Sequence, residues 1–291
     1  MKIHITGSGG RLGAALMREY KTRFDVIGFN HEQLDLADLT KTAETVSQSE
    51  FDVLINAAAF TNVDLAEKEK DQAFRVNRDG PRLLAQICRD KGARLIHIST
   101  DYVFDGEKTE PYLEHDEPRP LSVYGASKRA GEEAVLALGG GHVVARVSWV
   151  FGPDRPSFID QMIGRAREHD TIVAVADKWS TPTYTHDISE MLMRVVAGNI
   201  ESGILHIANS GRCTWQKYAQ HAIDCCHEAG VPLKAKQVGA VKMSDMKNWV
   251  ARRPVHSVLG TAKYAAMAGA PPRHWRDAVA EYVRDYVAAD K

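Results

Sequence analysis

The opening of the chain limits its possible folds more than any other stretch. Residues 2–6, Lys-Ile-His-Ile-Thr, form a short apolar run that breaks at Gly7-Ser8-Gly9-Gly10-Arg11-Leu12-Gly13, and a helical pattern follows to about residue 20. Strand, glycine turn and helix in direct succession make the first half of a βαβ unit. The spacing Gly7-x-x-Gly10-x-x-Gly13 has a physical reason. Glycine permits the tight turn, lets a pyrophosphate approach backbone N–H groups at the helix start, and lets helix and strand pack closely. A glycine-rich turn without a ligand has the same composition, so the strand-turn-helix context carries the dinucleotide reading. Gly7, Gly10, Arg11, Leu12 and Gly13 are therefore candidate cofactor-binding residues.

The alternation continues. Further strands are predicted at 25–29, 52–55, 94–98 and 142–147, with helices at 39–47, up to 91 and at 124–138. Parallel strands joined by right-handed helical crossovers give an α/β fold, a Rossmann-type doubly wound sheet over residues 1–150. Such sheets bind ligands at the carboxyl ends of their strands. Asn30 falls there, where an acid often holds the ribose 2′-hydroxyl of NAD. With no carboxylate to repel a 2′-phosphate, and Arg11 in the turn, NADPH is favoured over NADH. Asp35 and Leu36 follow in a loop that reaches the adenine, and a loop cap explains Asp35 equally well. Ala57, Ala58 and Ala59 end the third strand, small enough for a cofactor to lie against the backbone, although close helix packing also selects alanine. The charged run 67–71 reads as a solvated helical face, and Pro81 either kinks a helix or begins a second one.

The fourth strand delivers Ser99-Thr100, and the next helix carries Tyr124-Gly125-Ala126-Ser127-Lys128. Residues four apart share a helix face, so Tyr124 and Lys128 lie one turn apart. An ammonium about 4–6 Å from a phenol favours the phenolate and turns the phenol into a usable proton donor near neutral pH. The Ser99 or Thr100 hydroxyl completes a group that polarises a carbonyl. Tyr-x-x-x-Lys alone is also what a solvated pair on an ordinary helix looks like. Its position beside the predicted cofactor edge sets it apart.

Beyond residue 150 the pattern loosens into a smaller lobe over 151–291, with the helix at 185–198 returning to the first domain. A strand is expected at 204–207 and helices at 215–229 and 273–288, the last with a core-facing stripe of Trp275, Val279, Tyr282, Val283 and Tyr286. The formal net charge of −1 argues against nucleic acid or a membrane surface as partner. No apolar run approaches 18 residues and no signal-peptide pattern opens the chain, so a cytoplasmic location is expected. Four cysteines without Cys-x-x-Cys spacing agree with a reducing compartment. Cys225-Cys226-His227 with His221 reads as a packed helix, because adjacent helical residues point about 100° apart, and no metal site is expected.

In order and spacing, Gly7-x-x-Gly10-x-x-Gly13, the Asn56-to-Ala59 loop, Ser99-Thr100 and Tyr124-x-x-x-Lys128 resemble the extended short-chain dehydrogenase/reductases. Within that group the chain is most similar to the dTDP-4-dehydrorhamnose reductases, on Ser99-Thr100-Asp101-Tyr102-Val103-Phe104-Asp105-Gly106, Arg146-Val147-Ser148-Trp149-Val150-Phe151 and Arg253-Pro254-x-x-Ser257-x-Leu259. The resemblance implies reduction of the 4-keto group of a nucleotide-diphosphate deoxysugar with hydride from NADPH or NADH. It assigns Thr100, Tyr124 and Lys128 to catalysis, with Lys128 also on the nicotinamide ribose. Val63, Asp101, Tyr102 and Trp149 fall on substrate, and Arg253 on the diphosphate or a structural ion pair. Two departures stand out. Ser180 replaces a customary glycine, and Ala14-Ala15 stand where some members carry a glutamate of a magnesium-linked homodimer. Non-catalytic regulatory subunits of methionine adenosyltransferase and epimerases of other nucleotide-sugars are the alternatives that the same resemblance leaves open.

Overall fold

The computed structural model describes residues 1–198 and 202–289. In chain order, β1 (Lys2–Thr6), α1 (Arg11–Tyr20), β2 (Asp25–Phe29), α2 (Leu39–Ser47) and β3 (Val53–Asn56) lead to the short helices α3 (Val63–Ala66) and α4 (Lys70–Phe74). After a π-helical turn at Arg75–Asp79 come α5 (Gly80–Lys91), β4 (Arg94–Thr100), α6 (Val123–Leu136), β5 (Val143–Val147) and β6 (Val150–Phe151). The remainder is α7 (Phe158–Glu168), β7 (Ile172–Val175), β8 (Trp179–Ser180), β9 (Thr183–Tyr184), α8 (Thr185–Ala197), β10 (Gly203–His206), β11 (Cys213–Thr214), α9 (Trp215–Glu228), β12 (Val238–Val241), α10 (Ala262–Ala268) and α11 (Trp275–Tyr282).

Six strands form one parallel sheet in the order β10-β5-β4-β3-β1-β2. Its central strands are buried on both faces, which is why β3 reads Val-Leu-Ile-Asn and β5 Val-Val-Ala-Arg-Val without polar alternation. One face packs Leu34, Val46, Leu84, Ile87 and Val135, and the other packs Leu12, Leu16, Ile188, Leu192 and Val195. Helices on both faces make this the doubly wound α/β fold. A second core, with Ile159, Ile163, Tyr218, Ile223, Trp275 and Val279, joins α7, α9 and α11 around the parallel pair β7 and β12. The sheet draws its sixth strand, β10, and its covering helix, α8, from beyond residue 150.

Local chemistry places several boundaries. Ser122 caps α6 by accepting from Gly125 N–H, Thr214 caps α9 by accepting from Lys217 N–H, and Ser157 with Asp160 forms a capping box at α7. Pro81 lies just after the π turn in one helical run, since Asp79 and Gly80 keep right-handed helical backbone, so it marks an interruption within a helix and not a fresh start. Glu67 is not simply solvated: its carboxylate accepts from Val123 N–H at 2.8 Å, at the start of α6. Tyr286 is 37% exposed at the edge of its stripe, because the last helical segment loosens into a π turn beside solvent.

Candidate active site

The glycine turn packs directly on the end of β3. Gly7 has φ +67°, and a Cβ there would lie 2.7 Å from Ala58 N; a Cβ on Gly13 would lie 2.1 Å from the Gly7 carbonyl oxygen. Neither site admits another side chain without moving backbone. The turn is pinned by Ser8 N–H to Phe29 C=O at 3.0 Å and Gly10 N–H to Gly7 C=O at 2.8 Å. Beside it runs an open cleft of about 820 Å³ along the carboxyl edge of the sheet, reaching from Asn30 and Asp35 past Ala57 to Tyr124 and Lys128. Gly7, Gly10, Arg11, Leu12, Leu36, Ala58 and Ala59 line it as well. A helix start facing a cleft kept free of side chains fits a dinucleotide pyrophosphate. Asp35 serves locally too, accepting from Ala37 N–H at 2.9 Å.

Tyr124 is half-buried at the first turn of α6, its ring edge-on to Tyr102 at 5.7 Å, and it shares a hydrogen bond with Thr100. Lys128, one turn on, is 1% exposed, and its ammonium donates to the Ile98 carbonyl at 2.6 Å. The expected depression of the Tyr124 phenol by Lys128 is not what the structure shows. Burial pushes the phenol up to about 12, against the pull of the Thr100 hydrogen bond, while burial brings Lys128 down to about 8. The physical reason is direction, since Nζ is spent on strand β4 rather than on the phenol.

Beneath the pair lies a polar chain that sequence reasoning missed. Thr6 Oγ1 is 2.6 Å from Asn56 Oδ1, Asn56 Nδ2 is 3.0 Å from His97 Nδ1, and His97 Nε2 is 3.4 Å from Lys128 Nζ. None of these four side chains is more than 1% exposed. A histidine inside the apolar run Leu95-Ile96-His97-Ile98 was the available signal. Asn77 was also overlooked: buried in the π turn, it accepts from Phe60 N–H at 2.9 Å and donates to Phe60 C=O at 3.0 Å and to Ser127 Oγ at 2.9 Å. It ties the alanine loop to α6.

Arg11 lines the cleft, but its guanidinium already donates to the carbonyls of Val150, Arg155 and Pro156. It links the glycine turn to the segment after β6 and is not a free cation for a 2′-phosphate. Arg155, in return, donates to Gly9 C=O at 2.6 Å and stands exposed at the mouth of the cleft.

On the other side of Tyr124, Asp101 is 4% exposed and accepts from Thr100, Ser148 and Ser180 hydroxyls, each at 3.2 Å. Ser180 Oγ also lies 2.7 Å from Ser148 Oγ, so the hydroxyl absent from glycine is used in this knot. Tyr102 packs under Lys178, whose Nζ lies 5.3 Å from the ring centre. Trp149 is the one non-glycine residue with positive φ, 45°, among the described residues, and it packs against Phe158, Trp215 and Tyr218 at the seam with the second core. Val63 is half-buried at the start of α3. Arg253 forks onto Asp64 at 2.7 and 3.1 Å and stacks over Trp249, and the pairing holds Asp64 down to about 2. It is a structural ion pair here. Among the described residues no group of three or more metal-ligating side chains gathers, and no helix is long and apolar enough to cross a membrane.

The profile of the RmlD substrate binding domain family matches residues 1–288. The spore coat polysaccharide biosynthesis protein SpsK of Bacillus subtilis is 34% identical, with 99% of both chains covered. A dTDP-4-dehydrorhamnose reductase of Mycolicibacterium smegmatis is 37% identical over 99% of this chain and 86% of its own. A crystal structure of the Bacillus anthracis dTDP-4-dehydrorhamnose reductase in complex with NADP superimposes with a TM-score of 0.90 at 31% identity, over 97% of this chain and 98% of that one. A Thermus thermophilus UDP-glucose 4-epimerase, 20% identical with a TM-score of 0.82, shares the fold alone. The chain therefore belongs to the RmlD family, the family of the dTDP-4-dehydrorhamnose reductases.

Proposed function

We propose that this protein reduces the 4-keto group of a nucleotide-linked deoxysugar, dTDP-4-dehydro-L-rhamnose, to dTDP-L-rhamnose, with NADPH or NADH as reductant. The observation that carries the reading is Tyr124 and Lys128 at the inner end of a cleft whose outer end is the glycine turn, with Thr100 hydrogen-bonded to Tyr124 behind them. Relatives named for this activity match over nearly the whole chain. When bound, the reduced nicotinamide supplies a hydride to C4. Tyr124 Oη supplies the proton that the O4 alkoxide takes up, so the ketone becomes an alcohol. Thr100 Oγ1, hydrogen-bonded to Tyr124 and donating to Asp101 in the free protein, turns its one proton from Asp101 to the developing oxyanion. Lys128 Nζ, directed at the Ile98 carbonyl in the free protein, has to turn from it toward Tyr124 Oη to stabilise the phenolate left behind. A phenol raised by burial alone is a poor acid, so the electrostatic support must come from groups around the bound reactants.

Residues 1–150 with α8 and β10 hold the cofactor in this reading, and the lobe after 150 holds the nucleotide-sugar, with Trp149 at the seam. Val63, Asp101 and Tyr102 flank the sugar, while Arg253 acts through Asp64 rather than on the diphosphate. The polysaccharide role named for SpsK supports a place in cell-surface polysaccharide synthesis, and four buried free thiols support a reducing, cytoplasmic setting. The test is incubation of the purified protein with NADPH and several nucleotide-4-ketohexoses, following the nicotinamide absorbance and identifying the sugar. Oxidation with the dTDP sugar giving the 4-hydroxy product is expected. No oxidation with any of them overturns the reading, and NADPH binding without turnover points to a regulatory subunit.

A further inference from the structure

The observation that goes furthest beyond this reading is the buried chain behind Lys128. A fully buried ammonium needs acceptors, because an uncompensated charge in the interior is expensive. Among the described residues, Nζ has the Ile98 carbonyl at 2.6 Å and His97 Nε2 at 3.4 Å. The nearest carboxylate on its own helix, Glu132, is taken: it is forked by Arg146 at 2.7 and 2.9 Å and receives the Ser99 hydroxyl. His97 is therefore the one side chain in hydrogen-bond contact with Nζ among the described residues.

We propose, on the basis of the cofactor reading above, that His97, oriented by Asn56 and Thr6, is a positioning residue that holds Lys128 Nζ at the cleft and partners it with or without its proton. With Asn56 Nδ2 facing His97 Nδ1 at 3.0 Å, the neutral ring carries its proton on Nε2, aimed at Lys128. That suits the free amine, which accepts. Turning the Asn56 amide over exchanges its oxygen and nitrogen at the same positions. The ring proton then sits on Nδ1, donated to the amide oxygen, and the Nε2 lone pair faces the ammonium. Thr6 Oγ1, 2.6 Å from the amide, serves as donor in the first arrangement and acceptor in the second. One amide turn and one tautomer change thus follow the charge on Lys128; the turn gives up the Ala58 N–H contact to Asn56 Oδ1 at 3.3 Å and leaves that N–H to Thr6 Oγ1 at 3.4 Å.

Burial together with the Lys128 charge keeps His97 well below its ordinary range, so the imidazole resists protonation beside the ammonium. The other titratable or charged groups around the pair are Tyr124 and Glu132 on α6, Arg146 on β5 joined to Glu132, and Asp101 beyond Tyr124. None of them contacts Nζ.

The experiment compares wild type, His97→Gln and His97→Leu without sugar, measuring NADPH and NADH dissociation constants by nicotinamide fluorescence from pH 6.5 to 10, with melting temperatures. Leucine removes the partner and deepens the desolvation of Lys128. The expected results are a loss of about tenfold or more in affinity for both nucleotides, equivalent to about 1.4 kcal/mol, and an alkaline limit about one pH unit lower. Glutamine keeps an amide against Nζ and should stay within about threefold with the wild-type limit. A His97→Leu protein that melts with the wild type and keeps both affinity and limit overturns the assignment, as does His97→Gln behaving like His97→Leu. If His97→Leu does not fold, Asn56→Ser, which removes the amide behind the ring, is measured against the same limits. Wild type that binds nucleotide but reduces no sugar overturns the proposed function only; wild type that binds neither nucleotide overturns both.

Discussion

Glu132→Gln probes the charge arrangement under the site. Glu132 and Arg146 have side chains 3% and 0% exposed, joined at 2.7 Å between β5 and α6. The carboxylate also receives the Ser99 hydroxyl at 2.5 Å, and the Arg146 guanidinium lies over the Phe104 ring at 4.9 Å. Glutamine keeps the shape, removes the charge and turns an NH₂ toward a guanidinium that has only donors. Breaking a buried pair from one side costs about 3–5 kcal/mol, because the remaining charge stays buried and unpaired. For a chain of this size that is a fall on the order of 10 °C in melting temperature. The control is Glu132→Leu with Arg146→Met, which removes both charges and should recover most of the loss. Calorimetry on Glu132→Leu, Arg146→Met and their double variant closes the cycle, with Glu132→Gln measured beside them. A loss under about 1 kcal/mol for Glu132→Gln, or a double variant no better than the single, would refute the reasoning. Because Glu132 holds the Lys128 pKa up, Glu132→Gln should also bring forward the alkaline loss of nucleotide affinity.

Gly13→Ala should weaken NADPH and NADH binding at least tenfold in a fluorescence titration, since its Cβ meets the Gly7 carbonyl and must displace the turn. Arg11→Ala should lower the melting temperature and weaken both nucleotides to a similar degree, because Arg11 ties the turn to three carbonyls; a loss confined to NADPH would return it to the 2′-phosphate. Stability should rise between about pH 8 and 10 through Lys128. Its folded pKa of about 8 lies below the ordinary 10.5, so over that window the unfolded chain binds the proton that the folded chain lacks. Urea unfolding of wild type and Lys128→Met at pH 7.5 and 9.5 checks the sign, and a wild-type stability that falls relative to the variant contradicts it.

The central sheet was legible because strands buried on both faces read as uninterrupted apolar runs between glycine and helix signals, as at Val53 to Asn56. The glycine turn and the Tyr124/Lys128 pair were legible because their spacing is itself the geometry. The place of β10 was not, since four residues can pair with any exposed edge and only long-range packing selects β5. Arg11 misled for a related reason: its partners are backbone carbonyls after β6, which carry no residue signature. The expected lowering of the Tyr124 phenol by Lys128 was misjudged because spacing shows adjacency but not burial or where Nζ points. His97 and Asn56 sit at strand positions where an apolar residue fits the pattern equally well, so their linkage appeared only when β1, β3 and β4 were side by side.

The central claim is that Tyr124 delivers the proton to the sugar, and single-turnover reduction by Tyr124→Phe tests it most directly. The substitution removes one hydroxyl and leaves the ring against Tyr102. With wild-type melting temperature and nucleotide affinity as controls, the hydride-transfer rate should fall about 10²–10⁴-fold, the usual contribution of a positioned general acid, equivalent to roughly 2.7–5.4 kcal/mol of barrier. A variant that reduces dTDP-4-dehydro-L-rhamnose within about threefold of the wild-type rate, well under that range, places the proton on another group and contradicts the account.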